Sequence, residues 1–400
     1  VAFYTGVFNT TINPAELNKR SFAATMLRLY PDGSFPIFGL TSQTGSSRAV
    51  SSTHGYFTKT LAFSSVTTTA AYISTDLTIA VGSTTGIQPG MVLFNPTTRE
   101  NILVATVASG TSLTVTRGFG RVAAGAIASG ATLVVVGTAF AEGSNRPTAR
   151  GLTTVYVPNY TQIFRNAWAI TDTARASATE MGFGNIAESR QDCAILHSVD
   201  IEAAIIFGQP KMDTTGTQPL HATQGIIDAM EQYAPANTNA AAATTNMTQL
   251  ITMLEGAWTY SHNLGDSKRR LCVCGSTAMK VFNEIARLNG TIQLLPDQSG
   301  FGFNFQRFKF YKGELILIEH PILNGISGMN DWAIGIDMPA LKLAYMEGRD
   351  TKAEEFGGTG RNNANGVDAN GGSLTTEFAV ELLNPAGCFV IYDMVAGAAG

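Results

Sequence analysis

Residues 159–176, NYTQIFRNAWAITDTARA, place Tyr160, Phe164 and Trp168 four positions apart among amides, hydroxyls and small side chains. Nothing in this stretch is built to hold a cofactor or move a proton. Two readings are open. Apolar residues at that spacing suit the buried face of a core helix. They equally suit a surface that meets another copy of the chain.

The bulk numbers favour a protein covered by neighbours. The chain has 400 residues, 44% of them hydrophobic, but only 14% are charged, against about 25% in an ordinary soluble chain. Thr, Ser, Asn, Ala and 41 Gly fill the deficit. A freely diffusing monomer keeps a charged skin for solubility. Formal net charge is −4, so no global basic field draws nucleic acid. The one tight basic run, SKRR at 267–270, reads as a solvated face, with Lys19, Arg20 and Arg28 spread along the N-terminal segment. Cys193, Cys272, Cys274 and Cys388 are too few and scattered for a disulfide framework. They read as buried free thiols, with Cys272 and Cys274 on one face of an alternating strand. No apolar run reaches membrane-spanning length, and no signal region opens the chain. Val1 stands first without Met, which Met removal or cleavage of a longer precursor would both produce.

Along the chain, residues 1–50 hold an open arm with a short helix (NPAELNKRSFAATMLRLY) and a PDGSFP turn. Residues 52–63 read as an extended strand of roughly 40 Å at about 3.3 Å per residue. From 76 to 137, short β-branched runs cut by Gly and Pro predict a small β-barrel or sandwich. Residues 151–160 are extended again, so 51–75 and 138–160 read as a long hairpin with a β-module spliced into its tip. The best helix is 185–208, with Ala187, Ala194, Ile201 and Ile205 on one stripe and Glu202 off it. Residues 211–330 read as mixed α/β, with helices near 222–233, 246–261 and 276–289 and a small-residue loop at 235–246. The C-terminal part adds strands around a Gly/Asn tract at 357–372 that reads as a mobile loop.

Chemical motifs are missing. There is no phosphate-cradling G-x-x-x-x-G-K-[ST], no dinucleotide G-x-G-x-x-G in context, no H-E-x-x-H and no G-x-S-x-G. The histidines at 54, 197, 221, 262 and 320 lack ligand spacing, and His197 reads as a polar-face or hydrogen-bonded residue. Asn363, Asn365, Asp368 and Asn370 loosely suggest a calcium loop but lack its carboxylate order and closing Glu. The pair Glu354–Glu355 implies no pocket. No catalytic, cofactor or metal residues are assigned, and no enzyme activity is expected.

The wording and the order of elements resemble the major capsid proteins of tailed bacteriophages, the Hong Kong 97-type fold. LRLYPDGSFPIFGLTS and HGYFTKTLAF look like the family's arm and outgoing hairpin strand. VTRGFG, EGSNRPTAR and NYTQIFRNAWAITDTA are similar to its insert end and returning strand, and GSLTTEFAVELLNPAGCFVIYDM to its closing strands. The resemblance implies an α+β chain: N-arm 1–50, E-loop hairpin 51–75 and 138–160, inserted β-domain 76–137, peripheral domain with spine helix 161–210 and 331–400, axial domain 211–330. It implies a virion protein assembled in the bacterial host cytoplasm. Identical subunits would form hexamers and pentamers, joined by a portal and cement proteins, around double-stranded DNA held without sequence-specific binding. No cofactor and no membrane are implied. Assembly contacts are expected at Phe57, Lys59, Arg150, Asn159, Tyr160 and Gln162, with Trp168 mainly core. Some relatives cross-link a hairpin Lys to a neighbour's Asn; Lys59 sits in the hairpin, but no local motif supports that chemistry here.

Three other readings compete. A nanocompartment shell shares the fold, but the spliced β-module and the wording argue against it. An adhesin would use the β-module to bind glycans or a receptor. A hydrolase would need an unfamiliar site.

Overall fold

The spacing-of-four stretch is a strand. In the computed structural model Gln162–Thr171 is extended, with Phe164 and Trp168 buried and Ile163 and Arg165 exposed. Strand side chains alternate, so any even offset returns to one face and a spacing of four is shared by helix and strand. Amides and β-branched residues, and a long partner strand, decide for the strand. The described residues are 36–61, 64–176, 186–241, 245–260, 268–289, 295–296, 306–356 and 369–395. The expected arm helix before residue 31, the PDGSFP turn up to Phe35, His262, Asn363, Asn365 and Asp368 lie outside them.

Gln162–Thr171 pairs antiparallel with Ala369–Leu382, setting Phe164 opposite Thr376 and Trp168 opposite Gly372. A Cβ on Gly372 would stand 2.9 Å from the Trp168 indole nitrogen, so this glycine lets the ring lie across the neighbouring strand. Residues 369–372, expected in a mobile loop, are therefore strand. Ala369–Leu382 also pairs with Leu341–Met346 and Lys352–Phe356, and Leu341–Met346 pairs parallel with Ser46–Ala49. Phe164 stacks on Phe378 at 4.9 Å between ring centres.

The long helix is Ile186–Phe207, 22 residues, roughly 33 Å at 1.5 Å per residue. Its buried side is Cys193, His197, Ile201, Glu202, Ile205 and Ile206. Ala187 and Ala194 are exposed, so the expected stripe is corrected toward the polar residues. Glu202, expected off the stripe, is fully buried. It accepts from the backbone amides of Ile37 (2.9 Å) and Phe38 (2.6 Å) and contacts His320 Nε2 at 3.0 Å. A carboxylate there satisfies orphan N–H groups at the start of the helix Pro36–Thr44.

A second, seven-stranded sheet runs Thr238–Ala240, Phe389–Tyr392, Ala333–Ile336, Arg269–Cys274, Glu314–Glu319, Gln306–Lys309, Leu295–Pro296. A division at residue 330 cuts through it, because the C-terminal strands complete this sheet. Thr238–Ala240 is strand rather than the expected small-residue loop, pairing parallel with Phe389–Tyr392. Helices Ile226–Tyr233, Met247–Glu255 and Ser276–Asn289 accompany it. Arg270, expected on a solvated basic face, is fully buried. It meets Asp337 at 3.3 Å, donates to the Gly387 carbonyl at 2.8 Å and lies 5.3 Å from the centre of the Trp258 ring. Inward alternation along Arg269–Cys274 puts this cation inside, where a buried guanidinium needs such partners.

By contacts the chain forms two compact units, residues 57–156 and the remainder. Within 57–156, six strands run Ser65–Thr67, Thr132–Thr138, Met91–Phe94, Asn101–Ser109, Ser112–Thr116, Thr78–Ala80. A bridge between Thr68 and Val81 joins the two outer strands, closing the sheet on itself. Its own core includes Val66, Ile79, Leu93, Ile102, Val104, Leu113 and Leu133. The sheet thus begins ahead of residue 76 and takes in Thr138. Closure leaves no long free edge.

Candidate assembly surface

Strand Thr53–Thr58 pairs with Val155–Tyr160. Six residues each give about 20 Å, half the reach expected for 52–63. The boundary between the two units crosses this pair, at 56/57 and 156/157. On the side belonging to the larger unit, side chains tie it to three consecutive residues of the closing strand. Asn159 Nδ2 donates to the Val380 carbonyl at 2.6 Å, His54 Nε2 meets Glu381 at 3.1 Å, and Tyr56 donates to the Leu382 carbonyl at 2.6 Å. The His54 hydrogen bond leads the effects that hold the Glu381 carboxyl below its ordinary 4.5; it outweighs burial and is helped by Ser47 and Lys342.

The six expected contact residues divide. Phe57 is 72% exposed and its ring lies 5.0 Å from Tyr156, which is also exposed. Lys59 and Arg150 are exposed, the Arg150 guanidinium 3.9 Å from the Met91 sulfur. Asn159 is 7% exposed and belongs to the interior. Besides Val380 it binds Thr223 Oγ1, and its Oδ1 accepts from Gln224 N at 2.7 Å. With both ends of its amide used, Asn159 ties residues 223–224 to the closing strand within the fold. Gln162 accepts from Thr223 N at 3.0 Å, and half-buried Tyr160 stacks on His221 at 6.4 Å. So Asn159, Tyr160 and Gln162 converge on residues 221–224. Sequence reading missed His54, Tyr56 and Glu381. Their alternation at 54 and 56 on a strand was the available signal.

Beside the strand pair, room for chemistry is slight. The cleft beside Tyr56, Val157 and Leu382 encloses about 10 Å³, enough for roughly one water. Ser47 and His54 both bond Glu381. A nucleophile–base pair instead needs the imidazole on the hydroxyl. Among the described residues no cluster of three or more His, Cys, Asp or Glu could hold a metal ion, and no helix is long and apolar enough to cross a membrane. His197 is buried and hydrogen-bonded to Asn166 (2.7 Å) and Thr376 (2.8 Å). Cys272 and Cys274 lie 3.5 Å apart, buried, and burial pushes the Cys388 thiol up to about 12. Such thiols are unreactive.

Exposed aromatics on a strand pair and a dearth of charge suit a structural protein that meets its neighbours. Residues 4–395 match the family model described as SU10 major capsid protein, and the chain belongs to that family. A major capsid protein of Pseudomonas phage PaMx41 is 47% identical over 402 residues, 98% of this chain and 96% of the relative. Its solved likenesses include a chain from Mycobacterium phage Adephagia (12% identity, TM-score 0.47, 96% of this chain and 97% of that one). They also include the SrpI encapsulin of Synechococcus elongatus PCC 7942 (10% identity, TM-score 0.42, 61% and 78%). Its role is that of a phage major capsid protein, and the α+β, Hong Kong 97-like capsid fold expected from the sequence stands.

Proposed function

We propose that this chain assembles with identical copies into hexamers and pentamers that close an icosahedral phage head around double-stranded DNA. The observation that carries the reading is the strand pair Thr53–Thr58 and Val155–Tyr160. It turns exposed Phe57 and Tyr156 outward, and Lys59 just beyond it in the chain is exposed as well. Two-stranded ribbons are marginal alone, and edge pairing plus aromatic burial on a neighbour completes them. Residues 57–156 act as the hairpin with its spliced β-module. Residues 161–210, with the sheet of Ala369–Leu382, act as the peripheral part beside the long helix, and the seven-stranded sheet as the axial part. A portal and cement proteins complete the head, assembly takes place in the host cytoplasm, and the chain has no enzymatic role. A net charge of −4 supports enclosure of DNA without a grip on it. Electron microscopy of the purified full-length protein tests this: closed shells or capsomers are expected, and a monomer at high concentration overturns it.

A further inference from the structure

In the basic run at 267–270, Arg270 turns inward and Arg269 is exposed. Residues paired across a sheet share one of its faces. The ladder sets Arg269 opposite Glu314, and Glu314 opposite Lys309, so these three form a row across adjoining strands. Arg307, two residues before Lys309, lies on the same face. The Arg269 guanidinium is 3.3 Å from one Glu314 carboxylate oxygen, and that of Arg307 is 3.6 Å from the other. Between them in the chain, Phe308 points to the opposite face and is fully buried. On the turn that follows, Lys312 sits 5.7 Å from the centre of the Tyr311 ring, which is 67% exposed. Tyr311 in turn donates to Glu255.

Four cations thus share two carboxylates at one end of the seven-stranded sheet. Among the described residues, neither Lys309 nor Lys312 is ion-paired. Such a local excess stands out in a chain with 14% charged residues and a net charge of −4. Lys and Arg gathered on one face are the electrostatic footprint of nucleic acid, and guanidinium forks match phosphate oxygens. The acidic surface of another copy is the poorer match. The chain holds 30 Asp and Glu in 400 residues, and Glu100, Glu202, Asp337 and Glu377 among them are buried inside the fold. A duplex instead presents one charge per ~1.7 Å of its axis. It therefore meets cations on strands about 5 Å apart without a matched partner surface. Contacts of this kind touch the backbone, which carries no sequence information.

We infer that Arg269, Arg307, Lys309 and Lys312 form a contact for the phosphodiester backbone of double-stranded DNA, independent of sequence and released by salt. The choice of DNA as the polyanion rests on the shell reading above.

The test titrates the full-length chain, kept unassembled by low concentration, with a fluorescent DNA duplex of mixed sequence. Neutralising two to four phosphates gives a slope of about −2 to −4 in log affinity against log salt. Affinity should accordingly fall about 10- to 200-fold between about 50 and 200 mM salt. Lys309→Gln and Lys312→Gln should each reduce the slope by about 1 without moving the unfolding midpoint. Arg190→Gln, at the exposed Arg190–Glu355 pair, should leave the slope as in wild type. Wild-type slopes in both lysine variants overturn the inference. So does polyglutamate that displaces the duplex as well as unlabelled DNA of equal charge, which assigns the patch to an acidic protein surface. Tighter binding of single-stranded RNA than of the duplex overturns the choice of DNA. If the unaltered chain binds the duplex through these lysines but builds no shells, the container reading falls and the phosphate contact stands. If it builds shells while both lysine variants bind like wild type, only this inference falls.

Discussion

Glu381 is where the hairpin's base meets the closing strand, and its ionisation sets a pH dependence. Its folded pKa lies below the ordinary 4.5. The stability it contributes is therefore present above about pH 4.5 and is lost as pH falls through the depressed value. Glu381→Gln should unfold more easily than wild type at pH 7, and the gap should narrow as pH falls below about 4.5, as read by urea titration at several pH values. Glu202 makes a different demand. Its carboxylate serves two backbone amides and the His320 ring at once. Glu202→Ala strands those donors in the interior and should cost about 2–4 kcal/mol in chemical denaturation. Neither carboxylate declared itself in the sequence. Glu202 reads there as one more polar residue on a helix, because burial is decided by which face the neighbouring elements cover.

At the scale of elements, the strand Arg269–Cys274 carries the seven-stranded sheet, and its exit is tight. A Cβ on Gly275 would lie 2.3 Å from the Asn330 carbonyl oxygen, backbone that cannot rotate aside. The Gly275 amide already donates to the Trp332 carbonyl at 3.0 Å. Gly275→Ala should therefore destabilise by about 1–3 kcal/mol, measured as a lowered denaturant midpoint with unchanged slope. Elements of strong local pattern were legible: RRLCVC, ELILIE and the long helix stand close to where periodicity puts them. Thr238–Ala240 was not, because Thr, Asn and Ala between small-residue runs carry no strand signal. It is strand only because Phe389–Tyr392 offers it a ladder.

For the whole molecule, the chemistry that some relatives use to lock their shells has a direct readout. Lys59 is exposed, and nothing in the described residues prepares its amine for attack on an amide. Assembled particles boiled in detergent should run as one band at the 42.3 kDa chain mass. A ladder of covalent multimers would assign Lys59, or another lysine, a bond-forming role. The same scale shows why the expected contact residues differ in burial. Exposure of Phe57, Lys59 and Arg150 could be guessed from a charge-poor hairpin, but Asn159 could not be placed without knowing that Thr223, Gln224 and Val380 surround it.

By itself the sequence determined that this chain is α+β, charge-poor and without a catalytic motif, and its wording pointed to a phage shell. Those properties are local or summed over residues, so one dimension carries them. The tertiary structure alone decided that Arg270, Glu202 and Asn159 face inward, that the C-terminal strands complete the seven-stranded sheet, and that Glu100 and Arg117 meet. Each of these is a pairing across long stretches of chain. Only the folded geometry determines which polar group is stripped of water and which partner compensates it.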